Sequence, residues 1–126
     1  MAILIVDDST TMRRIVKRSV DEMKQEALEA ADGMQALKII EEKTEAIQLV
    51  ILDWNMPGMT GLEVLKTIKG TPRFKDITVM MLTSEADQNC VVDALKAGAQ
   101  NYLTKPFDAK MLILKIQESL TLAAKS

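Results

Sequence analysis

The stretch Leu49-Val50-Ile51-Leu52-Asp53-Trp54-Asn55-Met56-Pro57-Gly58-Met59-Thr60-Gly61 constrains the fold more than any other part of the chain. Apolar residues run without a break into one carboxylate. Such a run reads as a strand buried on both faces, so Asp53 stands where burial ends. Pro57-Gly58 forces a turn. Thr60-Gly61-Leu62-Glu63 has the Thr-x-x-Glu form of a capping box that opens a helix. In an open α/β sheet, ligands bind beyond the carboxyl ends of the strands. The chain therefore presents an acid where such a fold offers a site.

The rest of the chain repeats this pattern. Ala2 to Val6 reads as a buried strand ending at Asp7-Asp8, with Ser9 or Thr10 as the next helix cap. Met12, Ile15, Val16, Val20 and Met23 keep helical spacing to about Lys24, with Arg13, Arg14, Lys17 and Arg18 on the other faces. Glu26 to Ala31 has a helix-favouring composition, but its place between two helical stretches argues for a short strand. Asp32-Gly33 marks a turn and cap, and Met34, Leu37 and Ile40 define a helix to about Lys43. Leu62, Leu65 and Ile68 predict a third helix, with Gly70 as its C′ terminator. Ile77 to Leu82 is a fourth buried strand with Thr83-Ser84 at its tip. Val91, Val92 and Leu95 mark a fourth helix, about Ala86 to Ala97, stopped at Gly98. Gln100 to Thr104 is a short fifth strand before Lys105-Pro106-Phe107, and Asp108 caps a last helix carrying Leu112, Ile113, Ile116 and Leu120. Five strands alternating with five helices predict a doubly wound parallel α/β sheet with right-handed crossovers.

Composition narrows the function. The 126 residues make one domain, 1–126, of ordinary size. A net charge of −2 argues against a nucleic-acid partner. One cysteine, Cys90, permits no internal disulfide and fits a reducing cytoplasm. It reads as a small, partly exposed residue rather than a redox sensor. No stretch approaches the ~20 apolar residues that span a bilayer, so no membrane insertion is expected. The chain has no histidine. Its chemistry must therefore use carboxylates, lysine and hydroxyls.

Parallel strands would bring Asp7, Asp8, Asp53, Thr83 and Lys105 to one end of the sheet. An isolated aspartate after a strand is more often a turn or cap residue, but the conjunction at four tips favours a site. Crowded carboxylates repel unless a cation joins them. Oxygen ligands without histidine or thiolate suit Mg²⁺. Metal, ammonium and hydroxyl around a carboxylate point to phosphoryl transfer, with the carboxylate itself as acceptor.

At these residues the chain resembles the response-regulator receiver domains of two-component signalling, and within them the single-domain regulators of chemotaxis. The resemblance rests on Val6-Asp7-Asp8, Ser9 to Val16, Asp53 to Pro57, Gly61-Leu62-Glu63, Leu82-Thr83, Ala97-Gly98-Ala99 and Lys105-Pro106-Phe107. It implies a flavodoxin-like (βα)5 fold with strand order 2-1-3-4-5. It implies Asp53 as the phospho-acceptor, and Asp7, Asp8, Asp53 and the backbone carbonyl of Asn55 as ligands of Mg²⁺. Lys105 and Thr83 would contact the phosphoryl group. Tyr102 would change rotamer with Thr83 and remodel the face of the fourth helix, fifth strand and fifth helix; the plainer reading of Tyr102 is an edge-strand aromatic. A cis Lys105-Pro106 bond is also implied. The donor would be a CheA-like sensor histidine kinase. The target would be the flagellar motor switch protein or another response protein, with a phosphatase as a further partner.

Four departures stand out. Lys24-Gln25 replaces the family's glycine-aromatic turn and is one residue shorter. Ser9 replaces the aromatic that follows the acid pair in enteric members, which opens the rim of the pocket. Asp87 and Gln88 replace two lysines, and Cys90 lies on the same helix. The leading function is a stand-alone phospho-receiver, not a turnover enzyme, whose own surface is the output. A phosphorelay intermediate serving a histidine phosphotransfer protein is the alternative. An aspartyl-phosphate hydrolase is disfavoured, because Asn55 stands where those enzymes carry a second aspartate.

Overall fold

Strands and helices alternate along the whole chain in the computed structural model, which describes residues 2–84 and 88–124. The strands are β1 (Ala2–Val6), β2 (Glu26–Ala30), β3 (Ile47–Leu52), β4 (Thr78–Thr83) and β5 (Asn101–Thr104). The helices are α1 (Thr10–Glu22), α2 (Gly33–Lys43), α3 (Gly61–Gly70), α4 (Gln88–Lys96) and α5 (Ala109–Ala124). All strand pairs are parallel, in the order β2-β1-β3-β4-β5. The expected helical start at Ala86 lies outside the described residues, as does Asp87.

Alternation along the central strands explains both layers. Leu4, Val6, Val50, Leu52, Val79 and Met81 face Ala36 and Ile40 of α2, Val64, Leu65 and Ile68 of α3, and Ala94 of α4. Ile3, Ile5, Leu49, Ile51, Met80 and Leu82 face Val16 and Val20 of α1 and Leu112 and Ile116 of α5. Successive side chains point to opposite faces, so a strand covered on both sides must be apolar throughout. Edge strand β2 is only partly buried, which is why its sequence carries no such run.

Helix starts follow the expected chemistry. Ser9, not Thr10, caps α1 and accepts from the Met12 amide. Asp32 accepts from the Gln35 amide, and Asp108 from that of Met111. Thr60 and Glu63 form the full capping box. Helix stops are less regular. Gly70 is the last residue of α3 rather than its C′ residue, and Thr71 ends the helix in extended backbone at φ −102°. Gly98 does stop α4, at φ +110°. Apolar side chains on α2 and α4 also face outward. Met34 is 68% exposed, so α2 is anchored through Ala36 and Ile40 instead. Leu95 is 51% exposed and Val92 37%, and Ala94 makes the contact of α4 with the core.

The unusual corner after α1 closes as a Schellman turn. The Gln25 amide donates to the Val20 carbonyl at 3.2 Å and the Lys24 amide to that of Asp21 at 2.9 Å. This places Lys24 at φ +60°, the left-handed region that glycine occupies at lower cost. Replacing Lys24 by Gly should raise stability by about 0.5–1 kcal/mol in urea melts, whereas Lys24→Val should lower it. At the far end of β3, Gly61 lies against the main chain. A Cβ there would overlap the Asp53 carbonyl oxygen and come within 2.8 Å of Trp54 Cα. Since the obstacle is backbone, Gly61→Ala should cost about 1–3 kcal/mol in the same melts.

Candidate functional site

Parallel register brings the strand tips together. Val6 pairs with Leu52, and the Asp53 amide donates to the Val6 carbonyl at 2.9 Å. Leu52 pairs with Met81, and Thr83 with Thr104. The Lys105 amide then donates to the Thr83 carbonyl at 2.9 Å, carrying the ladder one residue past β5. Asp7, Asp53, Thr83 and Lys105 are therefore neighbours because the strands run parallel and in this order. The Lys105-Pro106 bond is cis.

The acids converge tightly. Asp7 is 3% exposed, Asp53 is 6% exposed, and Asp8 lies open at the rim. One carboxylate oxygen from each of the three lies within 4.8 Å of the others. Lys105 Nζ sits 3.1 Å from Asp7 Oδ2 and 3.8 Å from Asp53 Oδ1. The other Asp7 oxygen accepts from the Ser9 amide at 2.9 Å. Burial pushes the Asp53 carboxyl above its ordinary range, and the charge of Asp7 adds to this. The Lys105 ammonium, the Asn55 amide and the Thr83 hydroxyl, both of the latter donating to Asp53, pull it down without cancelling the rise.

This donor set fits a hard divalent cation. It consists of three carboxylate oxygens, with Asp8 exposed at the rim. A shallow depression lined by Asp8, Asn55, Met56, Pro57 and Thr60 adjoins the cluster. Six-coordinate Mg²⁺ takes such oxygens and keeps several waters. Thr83 is fully buried. Tyr102 is partly buried on β5 and packed against the core layer that includes α2 and α3.

Sequence reasoning missed the parts played by Arg13, Glu29 and Gly61. Arg13 Nη1 donates to the Asp7 carbonyl at 2.6 Å, and its Nε pairs with Glu29 Oε1 at 3.3 Å. By sequence Arg13 is one of four cations on α1, with nothing to set it apart. Gly61, under the Asp53 carbonyl, had a fainter signal: a poor helix former directly after a strong cap. Among the described residues no helix is long and apolar enough to cross a membrane.

Comparison with known proteins bears on this geometry. The model of the response regulator receiver domain family matches residues 3–117. The chain is 40% identical over 121 residues to a chemotaxis protein CheY homolog of Campylobacter jejuni, covering 95% of this chain and 92% of that protein. It is 41% identical over 118 residues to chemotaxis protein CheY1 of Helicobacter pylori, covering 93% and 94%. Among solved structures, chemotaxis protein CheY4 of Vibrio cholerae superposes with a TM-score of 0.86 at 31% identity, over 94% of this chain and 97% of that one. A CheY-like receiver domain protein of Methanospirillum hungatei gives 0.88 at 31% identity, over 98% and 96%. With the strand order, the acids at one rim and a family match over most of its length, the chain belongs to the response regulator receiver domains.

Proposed function

We propose that this receiver domain is a phospho-acceptor in which Asp53 takes a phosphoryl group from a histidine kinase. The observation that carries the reading is the placement of Lys105 Nζ against both Asp7 and Asp53, within a cluster of three carboxylates. A structural ion pair needs one acid, whereas a phosphoryl site needs a nucleophile, a cation site and a fixed positive charge.

The chemistry follows from the residues. An oxygen of the Asp53 carboxylate attacks phosphorus while the donor's P–N bond breaks, its electron pair leaving on the imidazole nitrogen. Burial disfavours the charged form of Asp53, while Lys105, the Asn55 amide and the Thr83 hydroxyl keep it available as a nucleophile. Asp7, Asp8, Asp53 and the Asn55 main-chain carbonyl would hold Mg²⁺, which supplies charge neutralisation at the phosphoryl oxygens. Lys105 would share its ammonium between Asp7 and a phosphoryl oxygen, and Thr83 would donate to a second one. Reversal by water cleaves the same P–O bond and returns the carboxylate and inorganic phosphate. The acyl phosphate on Asp53 is itself the signal, so the domain acts as an acceptor with self-catalysed loss of the group rather than a turnover enzyme.

The output is assigned to the face of α4, β5 and α5. Tyr102 lies on β5 two residues before Thr104, the register partner of Thr83. A change at Thr83 thus reaches it through adjacent backbone. The relatives named for chemotaxis are matched over more than nine-tenths of their own length. That supports a receiver whose own surface meets its target, with a CheA-like kinase as donor and the flagellar motor switch as target.

Asp53→Asn should abolish the mass gain of about 80 Da that acetyl phosphate with Mg²⁺ produces on the parent chain; an undiminished adduct removes Asp53 from the role. A second outcome follows from linkage. Because the Asp53 pKa is raised on folding, the bound proton stabilises the native state below the unfolded value, and this stabilisation is lost as pH rises through the folded value. In EDTA at neutral pH, Asp53→Asn should therefore melt a few degrees above the parent chain, with the gap closing on acidification toward pH ~4. Added Mg²⁺ should raise the Tm of the parent chain more than that of the variant.

A further inference from the structure

We infer that Arg13, held by Glu29, is a positioning residue for the acid pair. Its task is to aim Asp8 at the divalent cation, and this inference rests on the cation site proposed above. Asp7 is fixed at three of its polar groups. Its amide donates to the Ala30 carbonyl at 3.2 Å, which ties it to β2. Its carboxylate takes the Ser9 amide at 2.9 Å and Lys105 Nζ at 3.1 Å. Its carbonyl takes Arg13 Nη1 at 2.6 Å. That carbonyl belongs to the peptide plane joining Asp7 to Asp8. A planar peptide passes the orientation of its carbonyl directly to the next Cα. Asp8 is exposed at the rim, where packing does little to aim it, so the plane on which it is mounted matters most.

Arg13 is itself constrained from both sides. It lies in the first turn of α1, where its own amide donates to the Ser9 carbonyl at 3.0 Å. Its guanidinium reaches across to β2, with Nε 3.3 Å from Glu29 Oε1 and Nη2 3.4 Å from Thr10 Oγ1. The Arg13 side chain is 15% exposed and that of Glu29 41%. A rigid fork satisfied at separate nitrogens loses little freedom when it grips the carbonyl. Groups that orient metal ligands without touching the metal typically govern affinity about 10-fold or more.

This role differs in sign from a purely electrostatic one. A cation beside an acid cluster opposes Mg²⁺, so removing it for charge reasons alone would tighten binding. Loss of positioning weakens it. Calorimetric titration of the full chain with Mg²⁺ separates the two, with the Tm in EDTA measured alongside. Arg13→Ala should weaken Mg²⁺ about 10-fold, and Arg13→Lys, which keeps one donor, should recover part of the loss. Glu29→Ala, at a position whose side chain is 41% exposed, should weaken binding less but in the same direction. Affinity unchanged or tighter in Arg13→Ala, or unchanged in Glu29→Ala, while the parent chain binds normally, overturns the role of this pair and leaves the phospho-acceptor reading standing. A parent chain that binds no Mg²⁺ overturns that reading, and this inference with it.

Discussion

Three carboxylates, one oxygen of each within 4.8 Å of the others just past the tips of β1 and β3, are the constraint on which the rest of this molecule turns. Two of them are almost fully buried. Like charges at this range, removed from water, raise the free energy of the folded chain unless positive charge or proton uptake relieves them. Lys105 relieves part of the strain between Asp7 and Asp53, yet Asp53 still resists ionisation. The fold therefore keeps a site short of positive charge. Such a deficit fits the cation site proposed above.

Holding that arrangement takes a stiff frame, and the central strands provide it. Ile3 to Val6, Leu49 to Leu52 and Val79 to Leu82 are buried on both faces, so a slip of register would expose whole apolar rows. Register in turn places Asp53 beside Asp7 and Lys105 beside Thr83. Close packing extends this control into the loop. Gly61 brings the start of α3 against the Asp53 carbonyl, and its amide bonds that of Trp54 at 2.8 Å. The capping box at Thr60 and Glu63 then fixes the angle at which α3 leaves.

The sequence is most legible where burial is uniform. Apolar runs ending in Asp7 and Asp53 announce buried strands, and the caps at Ser9, Asp32, Thr60 and Asp108 announce helices. Strand order came from family resemblance, since no residue of β1 states that its neighbours are β2 and β3. Periodicity misled where helices expose apolar side chains. Met34 and Leu95 keep helical spacing but point to solvent, and small residues such as Ala36 and Ala94 carry the packing. Gly70 misled for a different reason, because α3 ends in extended backbone and needs no left-handed residue. Arg13 was silent because the partner that ties it to the site is the Asp7 main-chain carbonyl, which leaves no trace in side-chain identity.

The same geometry limits how the proposed switch can work. Thr83 is fully buried and its hydroxyl already donates to Asp53. A phosphoryl oxygen therefore does not offer Thr83 a first partner but replaces one acceptor by another. The driving free energy is the difference between two charge-assisted hydrogen bonds, not the whole of one. A ligand shifts an equilibrium only by its differential interaction with the two states, and a full reversal from 1:99 to 99:1 needs ~5.5 kcal/mol. One exchanged hydrogen bond, worth about 1.5–3 kcal/mol even when made from nothing, falls short of that. On the proposed reading the remainder would come from Lys105, rearranging between Asp7 and a new anion, and from a target that binds one arrangement of α4, β5 and α5 better than the other. On that reading, phosphorylation would tilt the equilibrium and partner binding would complete it.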